Sequence, residues 1–451
     1  MSEARSHSDV EKARELIENY DIFGFEQEWR KNPYPFYEAT RKIGPIVKEP
    51  RYGVYVATRY RDILDIERRS QDFSAAVASI GPFSVGQMPE REDEVKCPFG
   101  QADLDPQLTE WRDHTNLSLI PVLTLDPPEH TRFRDLINKL FTPKRKDQLL
   151  PRLRFFAHEL VDAFIDRGET EWVAGYASPY TYYTMNETMD IPRAPDKDMA
   201  RRFKEGEMGR RGGGRALVDG SVTRDADPQA DPTMLSLDQF ANLLRERRAN
   251  PTDDVLSEIA TAKFENDEYP DIEELKGIAS VMYGAGQGTT MHWIGTIMYY
   301  LAQDQEAQDR LRENPDLIQP YVEEVLRYDP PVQGLFRYAR HDTEVGDVRI
   351  PAGAVIWMNY AAGNRDPEEF DNPLEMCPER GNAYKGISFG AGRHFCPGQP
   401  LAKLEAKTSF EEVLKRMKNI RLKYPADSVE YPEWFVVRGP NSLWIEFDKI
   451  E

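Results

Sequence analysis

Cysteine is scarce: the chain has three, Cys97, Cys377 and Cys396, in 451 residues. The number is odd and no two stand as C-x-x-C, which excludes a paired disulfide framework and the spacing of zinc or iron–sulfur ligands. A reducing compartment is expected. No apolar run is long enough to span a bilayer, and the opening Met1–Asp9 is polar and lacks a signal-peptide pattern. The expectation is a soluble, cytoplasmic protein with no membrane partner. Basic residues are also in deficit, 58 against 78 acidic, for a net charge of −20. That balance argues against nucleic acid as a partner. Linkers and internal repeats are absent. Length alone would divide the chain into about three domains, yet only Gly212–Gly214, within a polar stretch, approaches low complexity. Residues 1–451 therefore read as a single domain.

Hydrophobic residues, at 40%, are enough for a substantial core. Strand-like alternation appears at Pro45–Lys48 and Gly53–Thr58, again between Arg337 and Met358, and near the C-terminus from Trp434 to Phe447. Long apolar-faced helical stretches run from Gln148 to Arg167, Asp271 to Ala302 and Asp316 to Tyr328. Long helices with a few short strands predict a mainly helical α+β domain with small β-sheets. Two long polar segments, about 80–122 and 205–235, are expected to be lids over a pocket.

The densest local pattern is Phe389-Gly390-Ala391-Gly392-Arg393-His394-Phe395-Cys396-Pro397-Gly398. It sets one cysteine in a glycine-punctuated loop directly before a helical pattern. The glycines permit a close backbone approach to a ligand, and Pro400 suits the first turn of the following helix. Free amides and a helix N-terminus lower a thiol pKa, so Cys396 is expected as a thiolate. Such a thiolate suits haem iron, where it favours O–O cleavage.

Other residues agree. Glu324 and Arg327 are three apart, on one helical face, and are able to pair; taken alone, an ordinary surface pair is the default. Asp126–Arg134 begins a helix that sets His130 and Arg134 on one face, and Arg337 adds a cation after Pro330-Pro331. Haem carries two propionates, which need cations and donors when partly buried. His130, Arg134, Arg337 and His394 are the candidates. Arg132, Arg134, Lys139, Lys144, Arg145, Lys146, Arg393, Lys403 and Lys407 form a basic patch if they meet near the cysteine, one that would steer an acidic electron donor; the alternative is a scattering of solvated surface charges.

Together these residues resemble the cytochrome P450 superfamily in its soluble bacterial form. The resemblance begins at Asn32-Pro33-Tyr34-Pro35 and Gln71-Asp72-Phe73-Ser74. It continues through Asp126–Arg134, Glu324 with Arg327, Asn364-Arg365-Asp366-Pro367 and the cysteine loop, and ends at Val437-Arg438-Gly439. It implies haem b (iron protoporphyrin IX) between a long central helix, Asp271–Ala302, and the loop. Cys396 would be the iron ligand, with Phe389, Gly390, Gly398 and Ala285 against the macrocycle. The oxygen-binding signature matches Ala285-Gly286-Gln287-Gly288-Thr289-Thr290. Gly284 and Gly286 would thin the helix and permit a kink. Thr289 would bond back to the Ala285 carbonyl, widen the groove and help deliver protons.

One position departs from the pattern. The family usually has Asp or Glu before this threonine, and this chain has Gly288. Proton delivery would then pass through water, Gln287 or a substrate group. Three accounts stand: an engineered removal, a natural variant with another relay, or a preference for peroxide over O2. His292, one turn on, reads as a structural histidine against a neighbouring helix. By position, Val281, Gly284 and Ala285 would line the substrate pocket, with Gln333 and Leu335 after Pro331, and Phe435 and Val436 at the C-terminal turn. Apolar walls with one amide suit an aromatic, terpenoid or steroid-like molecule with a polar handle. The implied activity is an oxidoreductase, a monooxygenase that hydroxylates or oxidatively dealkylates such a molecule. It would use O2 and an external ferredoxin with its NAD(P)H-dependent reductase, since no ferredoxin or flavin domain is fused on. The alternatives are a peroxide-using or other non-monooxygenase haem-thiolate enzyme, and a non-catalytic haem protein that binds a ligand.

Overall fold

In the computed structural model, residues 7–24, 27–79, 81, 121–138, 140, 142–191, 235–432 and 434–451 are described. Nearly all of the two expected lids, together with Cys97 and Lys139, lies outside them.

The central helix is Ile272–Leu301. Asp271 caps it, in a reciprocal capping box with Glu274. Apolar residues point out on all sides, which is the pattern of a helix buried in a core rather than laid on a surface. Its second half carries Trp293, Ile294, Ile297 and Met298 into the largest apolar cluster. Two indoles anchor it there: Trp293 Nε1 donates to the Val322 carbonyl at 3.2 Å, and Trp172 Nε1 to the Ile294 carbonyl at 3.3 Å. Truncating a buried aromatic of this kind costs about 3–5 kcal/mol.

Around this helix stand Ser178–Met189, Leu237–Ala249, Ile318–Tyr328 and the helix that follows the cysteine, Gln399–Arg416. Pro143–Asp162 packs along the cysteine helix. Beside the helices lies a five-stranded sheet in the order Ile46–Lys48, Tyr55–Ala57, Val355–Met358, Leu335–Ala339, Phe73–Ser74. Only the second and third of these strands run parallel. Glu169–Glu171, Trp444–Lys449 and Met417–Leu422 make a three-stranded sheet, and Thr343–Val345 pairs with Val348–Ile350.

Most predicted elements stand within a few residues of their expected places. The C-terminal strand is the exception. It starts at Trp444 and not at Trp434, because Phe435 is drawn into an aromatic cluster with Phe23, Phe336 and Trp357.

Candidate haem-thiolate site

The cysteine loop is held by its own backbone. The Cys396 amide donates to the Phe389 carbonyl at 2.9 Å. Gly390 and Gly392 take φ of +69° and +63°, a region that L side chains rarely adopt. Closeness adds to this at Gly392, where a Cβ would stand 2.5 Å from the Glu67 carbonyl oxygen. The amides of Gly398 and Gln399 and the Arg134 guanidinium all favour charge on the Cys396 sulfur. Burial outweighs them and pushes the thiol up, which corrects the expectation that loop and helix alone would make it a thiolate. A coordinating metal would supply the missing term, because it deprotonates a bound thiol outright.

Three elements bring the expected cation set together. The helix Glu129–Ile137 carries His130 and Arg134, the strand Leu335–Ala339 carries Arg337, and the loop carries His394. The His130 and His394 rings lie 4.1 Å apart between centroids. Among the described residues, neither ring nitrogen of His130 has a hydrogen-bond partner, and the His394 ring has a backbone contact to Val122 alone. Burial, then Arg134, Arg393 and Arg337, lower His130 to about 4. Burial, then Arg337, His130 and Arg134, lower His394 to about 2. Buried orphan donors in a field of arginines are costly unless an anion completes them. The two carboxylates of a haem fit that requirement, and the residues present fit the group.

The central helix faces this loop. Thr289 Oγ1 donates to the Ala285 carbonyl at 2.8 Å, as the spacing predicted. A Cβ on Gly284 would find nothing within 4 Å, so a void lies beside it. Gly286 has a packing role. A Cβ there would stand 2.5 Å from the Met185 sulfur, and the chain is helical without a break from Ile272 to Leu301. Gly286 therefore permits close helix packing. Gly288 is buried, and beside it Gln287 Nε2 is buried with no hydrogen-bond partner.

Other expected residues fall in different roles. Glu324 and Arg327 do pair, through two bonds of 2.7 Å, but both are fully buried and not at the surface. Arg327 also donates to the carbonyls of Asn364, Pro373 and Glu375, while Glu324 accepts from the Cys377 amide and Arg380. The pair thus ties the segment before the cysteine loop to the core. The Gln333 amide is already spent on protein: it accepts from Tyr37 and donates to the Pro330 carbonyl. It therefore offers no free polar handle to a ligand. Val281 and Leu335 are half-buried, whereas Phe435 and Val436 are buried in a core cluster. His292 meets Gly439 and Pro440 of the C-terminal segment, not a helix.

The basic patch is partly neutralised. Lys403 pairs with Glu323, Lys407 with Glu411, and Arg145 with Glu258. Arg132 lies over the Phe264 ring. Arg393 is exposed in the loop, next to Phe395.

Two residues absent from the sequence reading close the site. Glu67 joins Arg337 at 2.6 Å and accepts a hydrogen bond from the Tyr360 hydroxyl. The one sequence signal was a carboxylate on the apolar face of Tyr60–Arg68, alongside Ile63 and Ile66.

Comparison with known proteins agrees with this geometry. The family model described as Cytochrome P450 matches residues 236–440. Mycinamicin IV hydroxylase/epoxidase of Micromonospora griseorubida is 31% identical over 360 residues, 78% of this chain and 87% of the relative. Cytochrome P450 107B1 of Saccharopolyspora erythraea is 30% identical over 71% of this chain and 76% of its own length. The substrate-free structure of cytochrome P450 CYP150A6 from Mycobacterium marinum superposes with a TM-score of 0.80 at 30% identity, covering 96% of this chain and all of that one. The two-histidine, two-arginine enclosure beside Cys396 and the Thr289 groove thus sit in a chain that belongs to the cytochrome P450 family of haem-iron monooxygenases.

Proposed function

We propose that this protein hydroxylates, or oxidatively dealkylates, a hydrophobic small molecule, using O2 and electrons from a ferredoxin-type protein and its NAD(P)H-dependent reductase. Cys396 holds the iron of haem b through its sulfur, and the bound haem supplies dioxygen activation and oxidising power. His130, Arg134, Arg337 and His394 hold the propionates. Phe389, Gly390, Gly398 and Ala285 leave room for the flat macrocycle.

The remaining chemistry is positioning and proton supply. Thr289 keeps a hydroxyl at the groove, fixed by its bond to Ala285. Gln287 Nε2, unpartnered among the described residues, orders water beside it. With Gly288 in place of a carboxylate, protons come through that water. Val281, Gly284 and Leu335 offer apolar wall and open space to the substrate, with Phe435 and Val436 behind them. The void beside Gly284 suits a bulky ring system. The electron donor meets the cysteine side, where Arg393 is exposed on a chain of net negative charge.

The observation that carries the reading is the buried His130–His394 pair among arginines, with both His130 nitrogens unpartnered among the described residues, next to a cysteine with two amides aimed at its sulfur. Titration of the ferric protein with aromatic, terpenoid and steroid panels tests it. A low-to-high spin shift with one class, followed by O2- and ferredoxin-dependent product, is expected. Binding without turnover, or product from peroxide alone, would contradict it.

A further inference from the structure

Glu67 is the penultimate residue of the helix Tyr60–Arg68, and its carboxylate is buried. Its two oxygens have different partners. Oε2 accepts from Arg337 Nη2 at 2.6 Å, and Oε1 accepts from the Tyr360 hydroxyl. The Arg337 and Glu67 side chains are only 3% and 1% exposed. Arg337 spends its other terminal nitrogen on the Phe336 carbonyl at 2.9 Å. Glu67 also stands against the cysteine loop: a Cβ at Gly390 would lie 3.5 Å from Oε1 and 3.6 Å from the Tyr360 oxygen.

Burying a carboxylate is costly, and a buried ion pair is often no better for stability than apolar packing. Stability alone is therefore a weak reason for this pair. Its location offers a better one. Arg337 bears electrostatically on both His130 and His394, so its position and residual charge are felt where the anionic edge of the cofactor belongs. A guanidinium fixed by one buried carboxylate presents a defined direction and a reduced net charge.

We infer that Glu67 is a positioning residue for the reduction step: it holds Arg337 at the anionic edge of the haem and offsets its charge, which lowers the ferric/ferrous potential. This rests on the reading of Arg337 as a propionate partner. Tyr360 acts in the opposite sense, because its hydroxyl partly compensates the Glu67 charge.

The test is the reduction potential of the haem-loaded protein in Glu67→Gln and Tyr360→Phe, each first checked for a thiolate-type ferrous carbonyl spectrum. Glu67→Gln should favour the ferrous form by about tenfold, ~59 mV for one electron. Tyr360→Phe should shift the potential the other way, and by less. Opposite signs are the signature, since mere loosening of the fold would not produce them. Unchanged potentials, or two shifts of one sign, overturn the inference. If Glu67→Gln takes up no haem, Tyr360→Phe decides: a negative shift supports the inference, and none or a positive one defeats it. A missing thiolate spectrum in the unsubstituted protein would instead defeat the haem reading itself.

Discussion

Thr289 Oγ1 donates to the Ala285 carbonyl at 2.8 Å, which leaves that carbonyl shared between the helix ladder and a side chain. Such back-bonding loosens a helix locally. It also holds the hydroxyl in one direction. The position next to it, Gly288, carries no side chain that could pass on a proton.

Gly288→Asp should therefore raise the product formed per electron consumed and lower the peroxide released. A positioned carboxylate contributes typically about 10²–10⁴-fold to a proton-transfer step, and even a small part of that would show in coupling. Parallel measurement of NAD(P)H, product and peroxide checks it. A flat or falling ratio would mean that Gln287 and water already carry the protons.

Glu324→Gln should destabilise the protein severely. Arg327 would keep its charge at zero exposure with its bidentate partner gone. Breaking a buried pair from one side costs about 3–5 kcal/mol. Denaturant unfolding and haem retention would both report the loss, and the loop after Cys377 should loosen first, since Glu324 also accepts from the Cys377 amide.

His292→Gln should flatten the acid side of the stability curve. Burial lowers His292 from 6.5 to about 4, against a hydrogen bond to Pro440 that raises it. Between those values the unfolded chain binds a proton that the folded chain refuses, so stability present above pH 6.5 is lost as the pH falls through 4. The full loss is roughly 3 kcal/mol. Unfolding free energies of both proteins at pH 4.5 and 7.5 check it: the difference between the two pH values should be smaller in the variant.

Gly284→Val should leave the fold intact while narrowing the space near the iron. Beyond its chain neighbours and the helix's own backbone, the added Cβ meets nothing within 4 Å, and replacing a helix glycine by valine gains only a few tenths of a kcal/mol, roughly, in helix propensity. Spin-state titrations should then show weaker binding of the bulkiest ligands and an unfolding midpoint close to the parent's. A collapse in stability would place packed side chains where the void is read.

What the sequence made legible was local. Cys396 with its glycines, Thr289 four residues after Ala285, and Glu324 three before Arg327 all speak through spacings that a helix or a turn converts directly into geometry. The readings that failed depended on distant partners. The packing role of Gly286 was hidden because its neighbour Met185 belongs to another helix. Gln333 looked like a free handle because Tyr37, which satisfies it, comes far earlier in the chain. Glu67 carried no visible role because its meaning comes from Arg337, 270 residues away. The thiol of Cys396 was expected to be acidic from its loop, but burial is a property of the packed whole.

The most direct measurement is the carbonyl spectrum of the reduced, haem-loaded protein beside that of Cys396→Ala. A long-wavelength, thiolate-type Soret band is expected in the parent, with its loss in the variant. That band surviving in Cys396→Ala, or never appearing in the parent, would contradict the haem-thiolate assignment on which the proposed function stands.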